Sequence, residues 1–373
     1  MFRLSNLIKS TLQEQKSRSL DGSIIIWNMT NRCNLLCHHC YSKASANEKE
    51  SLSLEDILKT IPKLKIANIN FVIFSGGEPL LRKDIFEIAQ CMKDNKIMTY
   101  LSTNGTYITE KNAQKIIDTF NYIGISIDGI GEVHDYFRGQ KGSYDKSIEA
   151  IKTIQKIGGN AGIRFTITKE TESSFYDIFT LAEELNVNKI YISHLVYSGR
   201  GKENLEIDIS KEKRREYVNF MINKAFEYYE NGKDIDIVTG NMEMDAIMLL
   251  KEFEKKYPDF VNSLKNRLKS WGGNSAGKRL GNMDWNGFVK PDPFFPMTIG
   301  NYLEKDFDKI WLDDNNELLK KLREFPRNIK GKCSSCKYID ICNGGSRSRA
   351  YAISGDLWDE DPSCYLTLEE IKG

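Results

Sequence analysis

The sequence lacks a surplus of either charge, a membrane-length apolar run and any internal repeat. Its 53 Lys and Arg stand against 52 Asp and Glu, for a formal net charge of +1. That balance excludes the basic footprint of a nucleic-acid binder. No apolar run approaches the ~20 residues that cross a bilayer, so no membrane role is expected. The start of the chain mixes Arg3, Lys9, Glu14 and Lys16 with scattered apolar residues and has no signal-peptide core. The expected compartment is the cytoplasm. Low-complexity tracts are also missing. Cysteine is absent between Cys91 and Cys333. Seven of the eight cysteines fall into two groups, which points to metal in a reducing compartment rather than to disulfides. Cys91 stands alone on a helical stretch and reads as a small buried apolar residue. With 373 residues, 40% hydrophobic and 28% charged, the chain has the bulk of one large or two globular domains.

What is present begins with Cys33, Cys37 and Cys40, in C-x3-C-x2-C spacing. A tetrahedral zinc site wants four ligands, usually from C-x2-C pairs. Three thiolates on one short loop suit three irons of a cubane iron–sulfur cluster and leave the fourth iron open. The alternative is a zinc site completed by His38 or His39.

Short β-branched runs alternate with helical stretches through the first half. Strands are expected at 23–28, 70–74, 96–102, 122–127, 161–167 and 189–195, and helices at 54–64, 85–94, 110–119, 144–157 and 174–185. Such alternation implies βαβ units and a parallel sheet. The expected fold is α/β, a partial (β/α)6 TIM-like barrel with a C-terminal domain, its site at the carboxyl ends of the strands. The expected boundaries are an N-terminal arm at 1–22, the barrel at 23–205, a helical connector at 206–270 and the C-terminal domain at 271–373, with a hairpin at Asn286-Gly287.

Three polar motifs close successive strands. Ser75-Gly76-Gly77-Glu78-Pro79 ends the second; its glycines allow close backbone approach, and Glu78 can hold an amino group. Ser102-Thr103-Asn104-Gly105 ends the third, and Ser126-Ile127-Asp128-Gly129 the fourth. Each places small polar groups where a ribose or carboxylate can sit. Arg138 follows the fourth strand and Arg164 lies inside the fifth. An arginine there needs a partner, either a ligand carboxylate or an internal acid.

Taken in order, these motifs resemble the radical S-adenosylmethionine (SAM) superfamily over roughly the first 200 residues. The resemblance implies that the open iron chelates the cofactor's methionine moiety and that an electron then yields a 5′-deoxyadenosyl radical. It implies cofactor contacts from His39, Tyr41, Ser75, Gly76, Gly77, Glu78, Ser102, Asn104, Ser126, Asp128, Arg138 and Arg164. It also implies an external low-potential donor such as a flavodoxin or ferredoxin.

The second group is Cys333-x2-Cys336-x5-Cys342, with Cys364 beyond. Four ligands permit a second [4Fe–4S] cluster or a structural zinc. Beside the other motifs, the group resembles the auxiliary-cluster (SPASM/twitch) branch. Phrases along the whole length, among them Trp27-Asn28-Met29-Thr30, Ser193-His194-Leu195-Val196-Tyr197 and Asp361-Pro362-Ser363-Cys364-Tyr365, resemble the tetrapyrrole-modifying enzymes of heme d1 biosynthesis and the alternative heme pathway. That resemblance implies hydrogen-atom abstraction from a propionate side chain, which is then lost, on a siroheme-derived substrate such as 12,18-didecarboxysiroheme. Lys290, where histidine is expected, and the run Met242-Glu243-Met244-Asp245 depart from the pattern. Candidate substrate residues are Tyr197, Arg200, Lys290, Asp292, Phe294 and Phe295, with Arg279, Arg347 and Arg349 as further cations and Trp285 and Phe288 as further walls. His194 reads as a general acid, an axial iron ligand or a buried histidine. The rival readings are a peptide-crosslinking maturase of the same superfamily, a heme-forming decarboxylase, and a protein that uses clusters only for structure or electron relay.

Overall fold

The computed structural model describes residues 1–15 and 22–372; residues 16–21 of the expected N-terminal arm lie outside the described residues. Its strands are β1 (Phe2–Arg3), β2 (Ser23–Thr30), β3 (Ile69–Gly76), β4 (Met98–Thr103), β5 (Tyr122–Ser126), β6 (Ala161–Ile167), β7 (Lys189–His194), β8 (Asp236–Gly240), β9 (Leu280–Met283), β10 (Phe288–Lys290) and β11 (Gly300–Asn301). They form one sheet in the order β1-β8-β7-β6-β5-β4-β3-β2-β9-β10-β11. From β8 through β9 every neighbouring pair is parallel. β1, β10 and β11 join antiparallel at the two ends. The sheet keeps two edges, so the barrel is partial.

Side chains alternate across each strand with period two. One set, Trp27, Phe74, Leu101, Ile125, Ile163 and Ile192, is at most 1% exposed and packs beneath the helices. Each such side chain contributes roughly 1.5–3 kcal/mol on burial. A sheet covered on both faces would carry apolar residues at every position. Here the intervening positions are Ser75, Ser102, Ser126, Arg164, Tyr191 and Ser193, all half-buried. The inner face is thus polar and open. Gly124 keeps it passable, since a Cβ there would lie 2.8 Å from Cδ of Arg164.

Two expectations need correction. Asp236–Gly240, placed in a helical connector, is β8 and extends the parallel sheet beside β7. Its apolar run is too short to stand out between the helices Lys211–Glu230 and Asp245–Lys256. The helix Glu132–Arg138 was not expected either; it lies between Gly131 and Gly139, which both take positive φ. The hairpin at Asn286-Gly287 is present, with Gly287 at φ +85° and its N–H on the Asp284 carbonyl at 3.0 Å.

Candidate active site

The cysteine loop leaves β2 at Thr30 and is clamped from several sides. Gly77 N–H donates to the Thr30 carbonyl at 2.7 Å, and Glu78 N–H to the Arg32 carbonyl at 2.8 Å. A Cβ on Gly77 would sit 2.0 Å from the Arg32 oxygen, so only glycine permits this approach. The Glu78 carboxylate is fully buried. It accepts Thr103 Oγ1 at 2.8 Å, Asn104 N–H at 2.8 Å and Leu80 N–H at 3.1 Å. Burial pushes its pKa up while these donors pull it down. Glu78 therefore ties the loop's neighbours together and is not free to hold an amino group. Arg200 is a second clamp: its Nε donates to the Cys37 carbonyl at 2.7 Å and Nη1 to the Ala44 carbonyl at 3.2 Å. Expected as a substrate cation, it is committed to the loop backbone.

Cys33 and Cys37 are buried and Cys40 is half-buried; all three are free thiols. Leu35 N–H points at Cys33 Sγ (3.4 Å), Arg138 Nη1 at Cys37 Sγ (3.5 Å), and Ser42 Oγ lies 3.4 Å from Cys40 Sγ. Such donors stabilise thiolates. Without a metal, burial holds the Cys33 thiol up at about 12, so a metal must displace its proton. The thiols feel one another electrostatically. The two histidines that could complete a zinc site are both engaged elsewhere. His38 Nδ1 is 2.7 Å from Glu170, and His39 stacks on Phe137 at 4.7 Å and 6°. Burial lowers the His39 pKa to about 4, leaving it neutral. Three thiols supplied with donors, beside two histidines engaged elsewhere, fit an iron–sulfur cluster with one open iron.

The inner face leads away from this loop. Tyr41 Oη donates to Asn28 Oδ1 at 2.9 Å and lies 3.2 Å from Ser75 Oγ. Asn104 Nδ2 donates to Asn34 at 3.0 Å. Ser126, Arg164 and Tyr191 stand in one row across β5, β6 and β7. The Arg164 guanidinium lies over the Tyr191 ring at 4.5 Å and has no carboxylate partner among the described residues. A cation so placed can receive a ligand carboxylate. Arg138 is different: its partner is internal. It pairs with the fully buried Asp128, whose Oδ1 also accepts Thr166 N–H at 2.6 Å. Neither is free for a ribose, and the pair lends Arg138 to Cys37. The Ser102 side chain is half-buried and makes no hydrogen bond among the described residues.

The expected substrate residues scatter. Phe294 sets its ring against Tyr41 at 5.2 Å and so borders the site. Lys290 pairs with Asp284 at 3.0 Å. Asp292 is buried, accepts Phe294 N–H at 2.8 Å and is raised to about 6 by burial. Phe295 is buried away from the site, packed with Leu322 and Leu357. Tyr197 donates to Asp208 at 2.7 Å and packs on Phe137. His194 is 1% exposed, with Arg214 at 3.2 Å and Asp245 at 3.4 Å. It is a buried histidine in an ion network with no open face. Arg347 and Arg349 are wholly buried and cannot meet a substrate. Sequence reasoning missed Asn28 and Tyr191, although strand alternation places them on the same face as Ser75 and Ser193.

Of the second group, Cys333, Cys342 and Cys364 are buried and Cys336 is half-buried. Burial raises their pKa values, and the four thiols act on one another electrostatically. Arg349 links this region to the barrel mouth by donating to the Leu195 carbonyl at 3.1 Å and the Asn241 carbonyl at 2.5 Å.

The sequence profile of the radical SAM superfamily matches residues 27–182. The chain is 36% identical to the pre-heme d1 synthase of Dinoroseobacter shibae, over 99% of this chain and 93% of that protein. It is 37% identical to the Fe-coproporphyrin III synthase of Methanosarcina barkeri, over 93% and 89%. In fold it is similar to Streptococcus suis SuiB bound to precursor peptide SuiA, with a TM-score of 0.73 and 17% identity over 92% of this chain and 76% of that one.

Proposed function

The chain belongs to the radical SAM superfamily, and we propose that it is an enzyme of tetrapyrrole biosynthesis that removes propionate side chains from a siroheme-derived iron tetrapyrrole such as 12,18-didecarboxysiroheme. The observation that carries this reading is the 36% identity to a pre-heme d1 synthase along 99% of the chain. The family brings S-adenosylmethionine and a [4Fe–4S] cluster, which when bound supply the power to abstract a hydrogen atom from carbon.

The chain's own residues do the rest. Cys33, Cys37 and Cys40 hold three irons. Arg164, stacked on Tyr191 and in line with Ser126, receives the cofactor's carboxylate. Ser75, Tyr41 and Asn28 form the polar edge beside it, and His39 offers a neutral ring. Phe294 separates this edge from the substrate space. Cys333, Cys336, Cys342 and Cys364 would hold an auxiliary [4Fe–4S] cluster, which would supply a one-electron redox site. A flavodoxin or ferredoxin supplies the reducing electron. Among the described residues no helix is long and apolar enough to cross a membrane, and we place the work in the cytoplasm.

Anaerobic incubation with siroheme-derived tetrapyrroles, reductant and S-adenosylmethionine, followed by mass spectrometry, tests the reading. Mass losses equal to propionate-derived fragments are expected. A second reading, favoured by the 37% identity to Fe-coproporphyrin III synthase, keeps the tetrapyrrole and differs in product; Fe-coproporphyrin III in the same assay would establish it. No change in any tetrapyrrole while S-adenosylmethionine is still cleaved would overturn both.

A further inference from the structure

Two guanidiniums are sealed in with the C-terminal cysteines, and they are partnered differently. Arg349 meets both oxygens of Asp361, at 2.9 and 2.7 Å. Arg347 meets no carboxylate. It donates to the carbonyls of Leu357 at 2.8 Å, Asp359 at 2.5 Å and Gly345 at 3.3 Å, and to that of Gly344. Asp361 is the carboxylate that acts on Arg347 most strongly, but its oxygens are filled by Arg349 and by Ser346 and Ser363 N–H. Carbonyl dipoles orient a cation without cancelling it, and a buried unpaired charge is costly. A compensating anion is expected nearby.

The geometry shows where it belongs. The turn after Cys342 takes positive φ at Asn343, Gly344 and Gly345, and this wraps its carbonyls onto the guanidinium. A Cβ on Gly344 would lie 3.3 Å from Arg347 Nη2. The other strand of the clamp, Leu357 to Asp359, leads to Cys364. Arg347 therefore sits between the segments that carry the thiols, and its charge acts on Cys333 and Cys342. Lys332 and Arg327 add positive charge around the thiols; Glu360 and Asp340 add negative charge.

We propose that Arg347 is the built-in counter-charge of the four-cysteine site, balancing the thiolates of an iron–sulfur cluster and raising that cluster's reduction potential. The inference rests on the auxiliary-cluster reading above. The step it tunes is uptake of one electron by the cluster, from the external reductant or from a substrate-derived radical, with no protein bond made or broken. A four-thiolate cubane grows more negative on reduction, and a fixed cation in a low-dielectric pocket favours that state. Arg347 is a positioning residue in this role, since it touches neither substrate nor cofactor.

The test uses the full chain with Cys33, Cys37 and Cys40 replaced by alanine and reconstituted anaerobically, so that only the C-terminal cluster remains. Redox titration followed by electron paramagnetic resonance (EPR) reads its midpoint potential. Arg347→Gln is expected to move the midpoint to a more negative value, and Arg347→Lys to keep it near that of the parent. A Gln variant with full iron and an unchanged midpoint overturns the proposal. A parent that takes up zinc or no iron overturns the cluster reading itself, and the inference with it. Should neither variant fold, pulsed EPR on the parent labelled with 15N-arginine decides: coupling of 15N to the reduced cluster is expected, and its absence counts against Arg347.

Discussion

The two cysteine groups solve opposite problems with similar parts. The N-terminal trio lies on one eight-residue stretch at the mouth of the barrel, with Cys40 half-buried. The C-terminal quartet is gathered from residues 333–364, and three of its thiols are buried. Each group has a buried arginine. Arg138 points at Cys37 Sγ and is neutralised by Asp128. Arg347 has only carbonyls. Three thiols and a neutralised arginine leave a place for a ligand to enter. Four thiols and an uncompensated arginine fill every place and hold charge. If the four-cysteine site carries electrons as proposed, it differs from the ligand-binding site by one added thiol and one missing carboxylate.

Substitutions can break that contrast. The largest effect is expected from Cys37→Ala, which abolishes reductive cleavage of S-adenosylmethionine as measured by chromatography. Cys342→Ser is expected to spare that cleavage and lose the tetrapyrrole product, with iron falling from about eight to about four atoms per chain. Equal loss of both reactions in the two variants would erase the division of labour. Arg138→Gln leaves Asp128 buried and uncompensated; a loss of roughly 3–5 kcal/mol in denaturant unfolding is expected. Arg164→Ala removes the unpaired cation of the inner wall. A charge-assisted bond contributes ~1.5–3 kcal/mol, so the KM for S-adenosylmethionine should rise about tenfold or more while the fold is unchanged.

A further prediction concerns pH dependence. His134 is buried, its Nδ1 accepts the Asp128 N–H at 3.1 Å, and burial lowers its pKa to about 4. Between that value and the ordinary value near 6.5 the unfolded chain holds a proton that the folded chain does not. Stability contributed by this residue therefore increases with pH across that window. His134→Phe should flatten the rise in a series of urea melts, and an unaltered slope would show that His134 is charged in the fold.

Much of this was legible in the sequence because the chemistry is local. Cysteine spacing, the Gly76-Gly77 turn and the polar strand ends are contiguous, and the six central strands follow from alternating β-branched runs. Pairings between distant residues were not legible. Nothing in the sequence joins Arg138 to Asp128, or Arg200 to the Cys37 carbonyl, because those contacts depend on how loops fold over the barrel. The same reason turned Arg347, Arg349 and His194 from expected site residues into buried ones. β8 was hidden by its length, five residues between two long helices.

The most direct test of an open iron at the N-terminal trio is the EPR spectrum of the reduced cluster there, recorded with and without S-adenosylmethionine in protein whose four C-terminal cysteines are replaced by serine. Binding of S-adenosylmethionine to the open iron is expected to change the g values clearly. An unchanged spectrum from protein with full iron at the trio, or zinc found in place of that cluster, would contradict it.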